Sequence, residues 1–250
     1  MKKIAFVTGA TSGIGEAIAR ILASDFALII CGRREERLKK LAAELRDQTD
    51  VYILTFDVSN STEVNSAFDS LPSNWKNIQL LVNNAGNAHG RAPIHKGDLS
   101  DWDAMIDSNL KGLLYVTRAI SPGMVEKKTG DIINIGSIAG KEVYPDGNVY
   151  CASKFGVDAA TNGMRLDLNP YGIRVVGIHP GLVETEFSMV RFKGDEDKSE
   201  SVYKGITPLY ASDIAETVKF VVDRPPHVTI ADITIFPTAQ ASSTIVNRQS

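Results

Sequence analysis

In the stretch VYCASKF, Tyr150 stands four residues before Lys154. In a helix that spacing stacks the two side chains on one face. A free phenol keeps its proton to about pH 10. An adjacent ammonium favours the phenolate, so Lys154 is expected to lower the pKa of Tyr150 and make it a usable acid/base. Alone, such a pair is also what a helix surface offers by chance. A second group gives it context: Gly9, Gly13 and Gly15 in VTGATSGIGEAIA follow G-x-x-x-G-x-G directly after an apolar run. Glycines there permit a tight turn, let a pyrophosphate approach the backbone and pack helix on strand. The helix start then offers free N–H groups and a positive dipole end. About 20 residues on, where an NAD site carries an acid, the sequence reads IICGRREER. Arg33 and Arg34 come first, and Glu35 and Glu36 only later. A guanidinium suits a 2′-phosphate that a carboxylate would repel, so the cofactor expected is NADP. For Arg34 a solvated helix start is the plainer alternative.

Elements must bring these groups together, and the chain alternates strand and helix almost throughout. KIAFV, ALIIC, VYILTF, IQLLVN, DIINIG, IRVVGIHP and TIADITIF read as strands, separated by amphipathic helical stretches. The longest of these helical stretches run from about 101 to 128 and from about 149 to 168. Short apolar strands between such helices predict an α/β fold: a Rossmann-type, doubly wound parallel sheet of about seven strands with helices on both faces. One domain is expected over 1–250, with a polar substrate-loop segment at about 182–210 and no internal repeat. Hydrophobic residues make up 43% and charged residues 23%, a globular mix, and the net charge of −3 without a basic block argues against nucleic acid. No stretch has the length and apolarity of a membrane span, and MKKIAFVTGA reads as a first strand rather than a signal segment. Cys31 and Cys151 form no disulfide or zinc pattern and fit a reducing cytoplasm. The four histidines are scattered, and no metal is expected.

Together these residues resemble the short-chain dehydrogenase/reductase family. The matching stretches are TGATSGIG (8–15), NNAG (83–86), Asn109, NIGS ending at Ser137, YCASK (150–154) and PGLVET (180–185), in the family's order. Within the family the chain is most similar to NADP-dependent 3-hydroxy acid dehydrogenases acting on serine, allo-threonine and related acids. GNVYCASK, GLVETEFSMVRFKGD and FPTAQAS carry that closer match. The resemblance implies that Tyr150 is the general acid/base and that Ser137 holds the substrate oxygen. Lys154 would tune the tyrosine and bind the nicotinamide ribose, and Asn109 would interrupt its helix to hold a relay water. It implies cofactor contacts from Gly9, Thr11, Ser12, Gly13, Ile14, Gly15, Arg33, Arg34, Asp57, Val58, Asn84, Tyr150, Lys154, Pro180, Gly181, Val183 and Thr185. It also implies a homotetramer built partly on the two long helices. Plain structural readings stand beside these: helix-surface polarity for Asn109, a strand-end turn for Ser137, a polar turn for Asn83 and Asn84.

Competing functions are a broader carbonyl or 3-oxoacyl-thioester reductase and a cofactor-binding sensor or scaffold that has lost catalysis. The thioester substrate calls for a basic docking patch, and none is seen. A scaffold is expected to have lost Ser137, Tyr150 or Lys154. A nucleotide-sugar epimerase needs a larger C-terminal region than follows Pro180. In the 182–210 segment, Arg191 lies among Met189, Val190 and Phe192, a setting suited to capture of a substrate carboxylate. A structural ion pair with Asp195, Glu196 or Asp197 is the alternative for Arg191. Lys193 and Lys198 read as solvated surface among those acids.

Overall fold

A computed structural model describes residues 2–249. The chain runs β1 (Lys3–Val7), α1 (Gly13–Leu22), β2 (Phe26–Gly32), α2 (Glu35–Leu45), β3 (Val51–Thr55), α3 (Ser61–Asp69) and β4 (Ile78–Asn83). Then come α4 (Leu99–Ile106), α5 (Gly112–Lys127), β5 (Gly130–Ile135), α6 (Asn148–Leu168) and β6 (Ile173–Pro180). β7 (Val183–Glu184), α7 (Phe187–Arg191), α8 (Glu196–Ser201), β8 (Leu209–Tyr210), α9 (Ala211–Val222) and β9 (Asp232–Ile235) complete it. Seven strands form one sheet in the order β3-β2-β1-β4-β5-β6-β9, and every pairing is parallel.

Parallel strands need crossovers, and the helices that supply them cover both faces of the sheet. All seven residues of β2 are therefore buried. Alternation sorts each strand between two cores. Ala5, Val7, Leu28 and Ile30 meet Ile18 and Leu22 of α1, Leu38 of α2 and Val218 of α9. Ile4, Phe6, Ile29 and Cys31 meet Val64 of α3 and Val116, Ile120 and Met124 of α5. Burying each such large side chain is worth about 1.5–3 kcal/mol. A polar seam crosses the second face: Asn83 donates to Thr117 Oγ1 and Asn134 Oδ1, both at 2.9 Å, and Asn134 donates to Thr161 Oγ1 at 2.9 Å. It pins α5 and α6 to β4 and β5. Asn83 is thus the buried end of a strand rather than a residue of a polar turn.

The sheet order reverses between β1 and β4, and the crevice beyond the strand ends there is where such sheets take ligands. The long helical stretch is continuous from Leu99 to Lys127, but Asp107–Lys111 winds as a π turn containing Asn109. Wide turns of this kind recur at functional positions. The segment expected as a polar loop contains two short helices instead, α7 and α8, framed by the β7–β8 pair. The tail returns over this segment: Arg248 donates to the carbonyls of Val202 and Lys204, and Gln240 accepts from Leu182 N at 2.8 Å. At the sheet edge, buried His179 lies against Asp158 and Asp232. Lys141 bridges those acids at 2.7 and 2.6 Å. Among the described residues no helix is long and apolar enough to cross a membrane.

Candidate active site

At the crevice a cavity of about 1010 Å³ runs from the turn after β1 to the start of α6. It gathers every residue singled out from the sequence as a site candidate except Gly15 and Asn109, which stand one layer behind its wall.

The turn end is built from backbone. Gly9 has φ +67°, and a Cβ there would come within 2.9 Å of the Ala85 Cα, so only glycine fits. Gly15 is equally constrained, because its Cβ would strike the Gly9 carbonyl and the Asn84 amide. Asn84 Nδ2 donates to Thr8 O at 2.9 Å and Gly9 O at 3.3 Å, which ties the end of β4 to the turn. Ser12 caps α1 in extended conformation without bonding its helix, so the first N–H groups face the cavity unclaimed by a cap. The Ser12 hydroxyl accepts instead from Arg34 at 2.7 Å, and Thr11 Oγ1 accepts from Arg34 at 2.8 Å. Glu186 completes this cluster with Arg34 at 2.8 Å and Arg37 at 2.6 Å. Its carboxyl is pulled down to about 2, first by the Arg34 hydrogen bond and then, against the cost of burial, by Arg37. Arg33 is freer: its side chain is 70% exposed and only 3.4 Å contact with Asp57 restrains it. Asp57 in turn accepts from Ser59 N and Oγ at 2.9 and 2.8 Å, and Val58 lines the wall beside it. Along the opposite wall stand Pro180, Gly181, Val183 and Thr185, with Thr185 Oγ1 accepting from Phe187 N at 3.2 Å.

The other end is built from side chains. α6 carries Tyr150 and Lys154 on one buried face, and Ser137 begins the turn after β5. Burial pushes the Tyr150 phenol well up, and Tyr144 adds to this; the Ser137 hydrogen bond and the Arg191 charge offset only part of it. Lys154 is depressed to about 8 by burial alone, and its Nζ donates to Ile135 O at 3.1 Å. The net direction at Tyr150 is thus upward, against the lowering expected of Lys154. Desolvation acts on both groups and pushes both toward their neutral forms. Cys151, between them, points into the core.

Asn109 makes no direct hydrogen bond to Lys154, although its Oδ1 and the Lys154 Nζ flank the same point beside Gly86. Its Oδ1 accepts from Asn87 N at 2.7 Å, and its Nδ2 donates to Asn87 O at 2.9 Å and Ser153 Oγ at 3.0 Å. Ser153 Oγ donates to Tyr150 O at 2.7 Å, so the π turn, the strand-end loop and α6 are locked together behind Tyr150. Asn87 lies outside every stretch quoted above, and Ser153, Glu186 and Gln240 lie inside quoted stretches without a role assigned to them, because their roles exist only across junctions between distant segments.

Arg191 makes no ion pair with the acids near it in sequence. Lys198 takes Asp195 at 2.7 Å, and Lys193 reaches Asp101 of α4 at 2.9 Å, both lysines remaining solvent-exposed as expected. Arg191 instead lies 5.4 Å from the Tyr144 ring centre and 5.5 Å from that of Tyr150. One Nη donates to the Tyr144 hydroxyl at 2.7 Å, while its Nε is buried without a partner. A cation held on two aromatic faces with an unspent donor is suited to bind an anion.

The model of the short chain dehydrogenase family matches residues 3–196. A protein named NADP-dependent 3-hydroxy acid dehydrogenase YdfG from Escherichia coli O6:H1 is 47% identical over 98% of this chain and 100% of its own length. A protein named sulfoacetaldehyde reductase 2 from Chromohalobacter salexigens is 44% identical over 97% of each chain. Among solved structures, the closed form of a serine dehydrogenase complexed with NADP+ superposes with a TM-score of 0.92. That structure is 46% identical, covering 98% of this chain and all of the other.

Proposed function

This chain belongs to the short-chain dehydrogenase/reductase family, and on that premise we propose that it is an NADP(H)-dependent oxidoreductase acting on the CH–OH group of a small 3-hydroxy acid such as serine or allo-threonine. The observation that carries this reading is the single cavity joining the glycine turn to Tyr150, Ser137 and Arg191. Its turn end fits a dinucleotide: the Gly9 cradle and the uncapped start of α1 suit a pyrophosphate, and the exposed Arg33 suits a 2′-phosphate. Asp57 and Val58 would flank the adenine. Lys154 would hold the nicotinamide ribose, with Pro180, Gly181, Val183 and Thr185 along the opposite wall.

When bound, the nicotinamide accepts or supplies the hydride. Tyr150 takes the hydroxyl proton as the alcohol is oxidised, giving up its own phenolic proton in the same exchange, and the transfers run backwards in the reverse direction. Ser137 holds the same oxygen by hydrogen bonding. Lys154, at about 8, gains and loses a proton near neutrality and can pass on the one Tyr150 takes. Asn109 acts through Asn87 and Ser153 and is a positioning residue. Arg191 would bind the carboxylate and so fix the position of the hydroxyl carbon beside Tyr150 and Ser137.

A second reading, reduction of a small sulfonated aldehyde, is favoured by the same Arg191, since a guanidinium pairs with a sulfonate as with a carboxylate. The absorbance of reduced nicotinamide, followed with NADP+ or NAD+ against 3-hydroxy acids and neutral alcohols, and in reverse with sulfoacetaldehyde, tests both readings. Turnover of neutral alcohols alone would defeat both. The protein is further read as a cytoplasmic homotetramer. Exposed Leu114 of α5 and Phe155 and Leu166 of α6 supply an apolar surface, and both cysteines are free and buried. Light scattering giving a monomer would overturn the tetramer.

A further inference from the structure

Six cationic side chains line the cavity (Arg33, Arg34, Arg91, Lys154, Arg191 and Arg248) against three carboxylates, Asp57, Asp107 and Glu186. Each of those acids already has a cation: Asp57 has Arg33, Asp107 has Lys111, and Glu186 has Arg34 and Arg37. Arg248 is spent on the carbonyls of Val202 and Lys204, which leaves two guanidiniums at the substrate end, Arg91 and Arg191. Among the described residues neither has a carboxylate within ion-pair distance. Both lie against one ring: Arg91 at 5.7 Å and Arg191 at 5.4 Å from the centre of Tyr144.

That ring is a fixed platform. Tyr144 is mostly buried, its hydroxyl accepts from Arg191, and Gly147 packs so closely that a Cβ there would overlap the ring. Asp146, in the same turn, holds φ +64°, a conformation L side chains rarely adopt. The turn therefore places Tyr144 in one position, and with it the two cations. Arg91 lies at the exposed mouth, where one Nη donates to Pro145 O at 3.2 Å and its other N–H groups are uncommitted. One carboxylate satisfies one guanidinium. Two like charges converging on one cavity end leave a field that a second anionic group would neutralise.

Resting on the hydroxy-acid reading above, we infer that Arg91 and Arg191 form a two-cation receptor around Tyr144, which selects a hydroxy acid carrying a second anionic group, that is, a small hydroxy dicarboxylate. Arg191 holds one carboxylate beside Tyr150, and Arg91 holds the other at the mouth.

Two substrates with the same hydroxylated core test this: 3-hydroxyglutarate, a dianion, and 3-hydroxybutyrate, its monoanionic counterpart. Wild type should show the higher kcat/KM on 3-hydroxyglutarate. Arg91→Met should lower that value at least about tenfold, and the value for 3-hydroxybutyrate less than about threefold. Arg91→Lys, which keeps the charge and loses the planar stack, should retain most of the preference. Equal losses on both substrates would mean that Arg91 only props Tyr144, and a wild type without preference for the dianion would overturn the receptor outright. Glutarate and butyrate as competitive inhibitors of neutral-alcohol turnover separate this failure from that of the hydroxy-acid reading. If no hydroxy acid is oxidised yet glutarate binds about tenfold tighter than butyrate and loses that margin in Arg91→Met, the receptor stands and the hydroxy-acid reading falls. Equal inhibition would overturn the receptor itself.

Discussion

The two ends of the cavity are made differently. At the turn end the polar side chains bond to the protein itself: Asn84 to Thr8 and Gly9, Arg34 to Thr11, Ser12 and Glu186, Asp57 to Ser59. Shape and open backbone N–H groups remain for a ligand. At the Tyr150 end the groups are left in want. The phenol and the Lys154 ammonium are both desolvated, and the Arg191 Nε and Asn87 Oδ1 are buried without partners. A buried polar group without a partner costs about 1–3 kcal/mol. Preorganised backbone is suited to hold a constant cofactor, and unsatisfied side chains are suited to reward one substrate. The difference predicts where mutations cost function and where they cost stability.

The largest effect should come from the unsatisfied end. Tyr150→Phe keeps the ring and should remove turnover by about 10²–10⁴-fold while NADP binding changes little. Near wild-type turnover in the steady-state assay would return the chain to the scaffold reading. At the turn end, Arg33→Asp should narrow the preference for NADP over NAD by on the order of 2–4 kcal/mol, from a lost charged contact plus new repulsion. Titration of both cofactors by protein fluorescence checks it, and an unchanged ratio would move the 2′-phosphate to Arg34.

A smaller effect should separate the two ends by substrate. Arg191→Ala should raise KM for 3-hydroxy acids about 10- to 100-fold and barely affect a neutral alcohol of like size. Loss on both would show that Arg191 only supports α7.

The smallest effect is on stability and carries a sign. The folded-state pKa of Lys154 lies at about 8, below its ordinary 10.5. Below about 8 the amine is charged in both folded and unfolded chains, and the folded chain bears the full desolvation cost. Above 10.5 it is neutral in both, and the cost is gone. Lys154→Met should therefore raise the melting temperature of the protein without added ligand near neutrality by several degrees. That gain should fade as the pH rises from about 8 to 10.5, which calorimetry at two pH values would show. A lower melting temperature near neutrality would mean that the Ile135 hydrogen bond outweighs the buried charge.

Much of this was legible in the residues taken in order. Short apolar runs between amphipathic stretches specify a parallel sheet between helices, because periodicity and turn chemistry act over a few residues. The glycine turn, the Tyr150–Lys154 spacing and the arginines after β2 are local in the same sense. What only the tertiary structure decided are junctions between segments far apart in the chain. Arg191 meets Tyr144 across 47 residues, and Arg34 meets Glu186 across 152. Asn109, Asn87 and Ser153 come together only where the π turn crosses α6. Nor could spacing alone reveal that burial depresses Lys154 and raises Tyr150. A spacing places two side chains on one face, whereas a pKa depends on everything that excludes water from them, and that enclosure exists only after the sheet order has brought β5, α6 and α7 together.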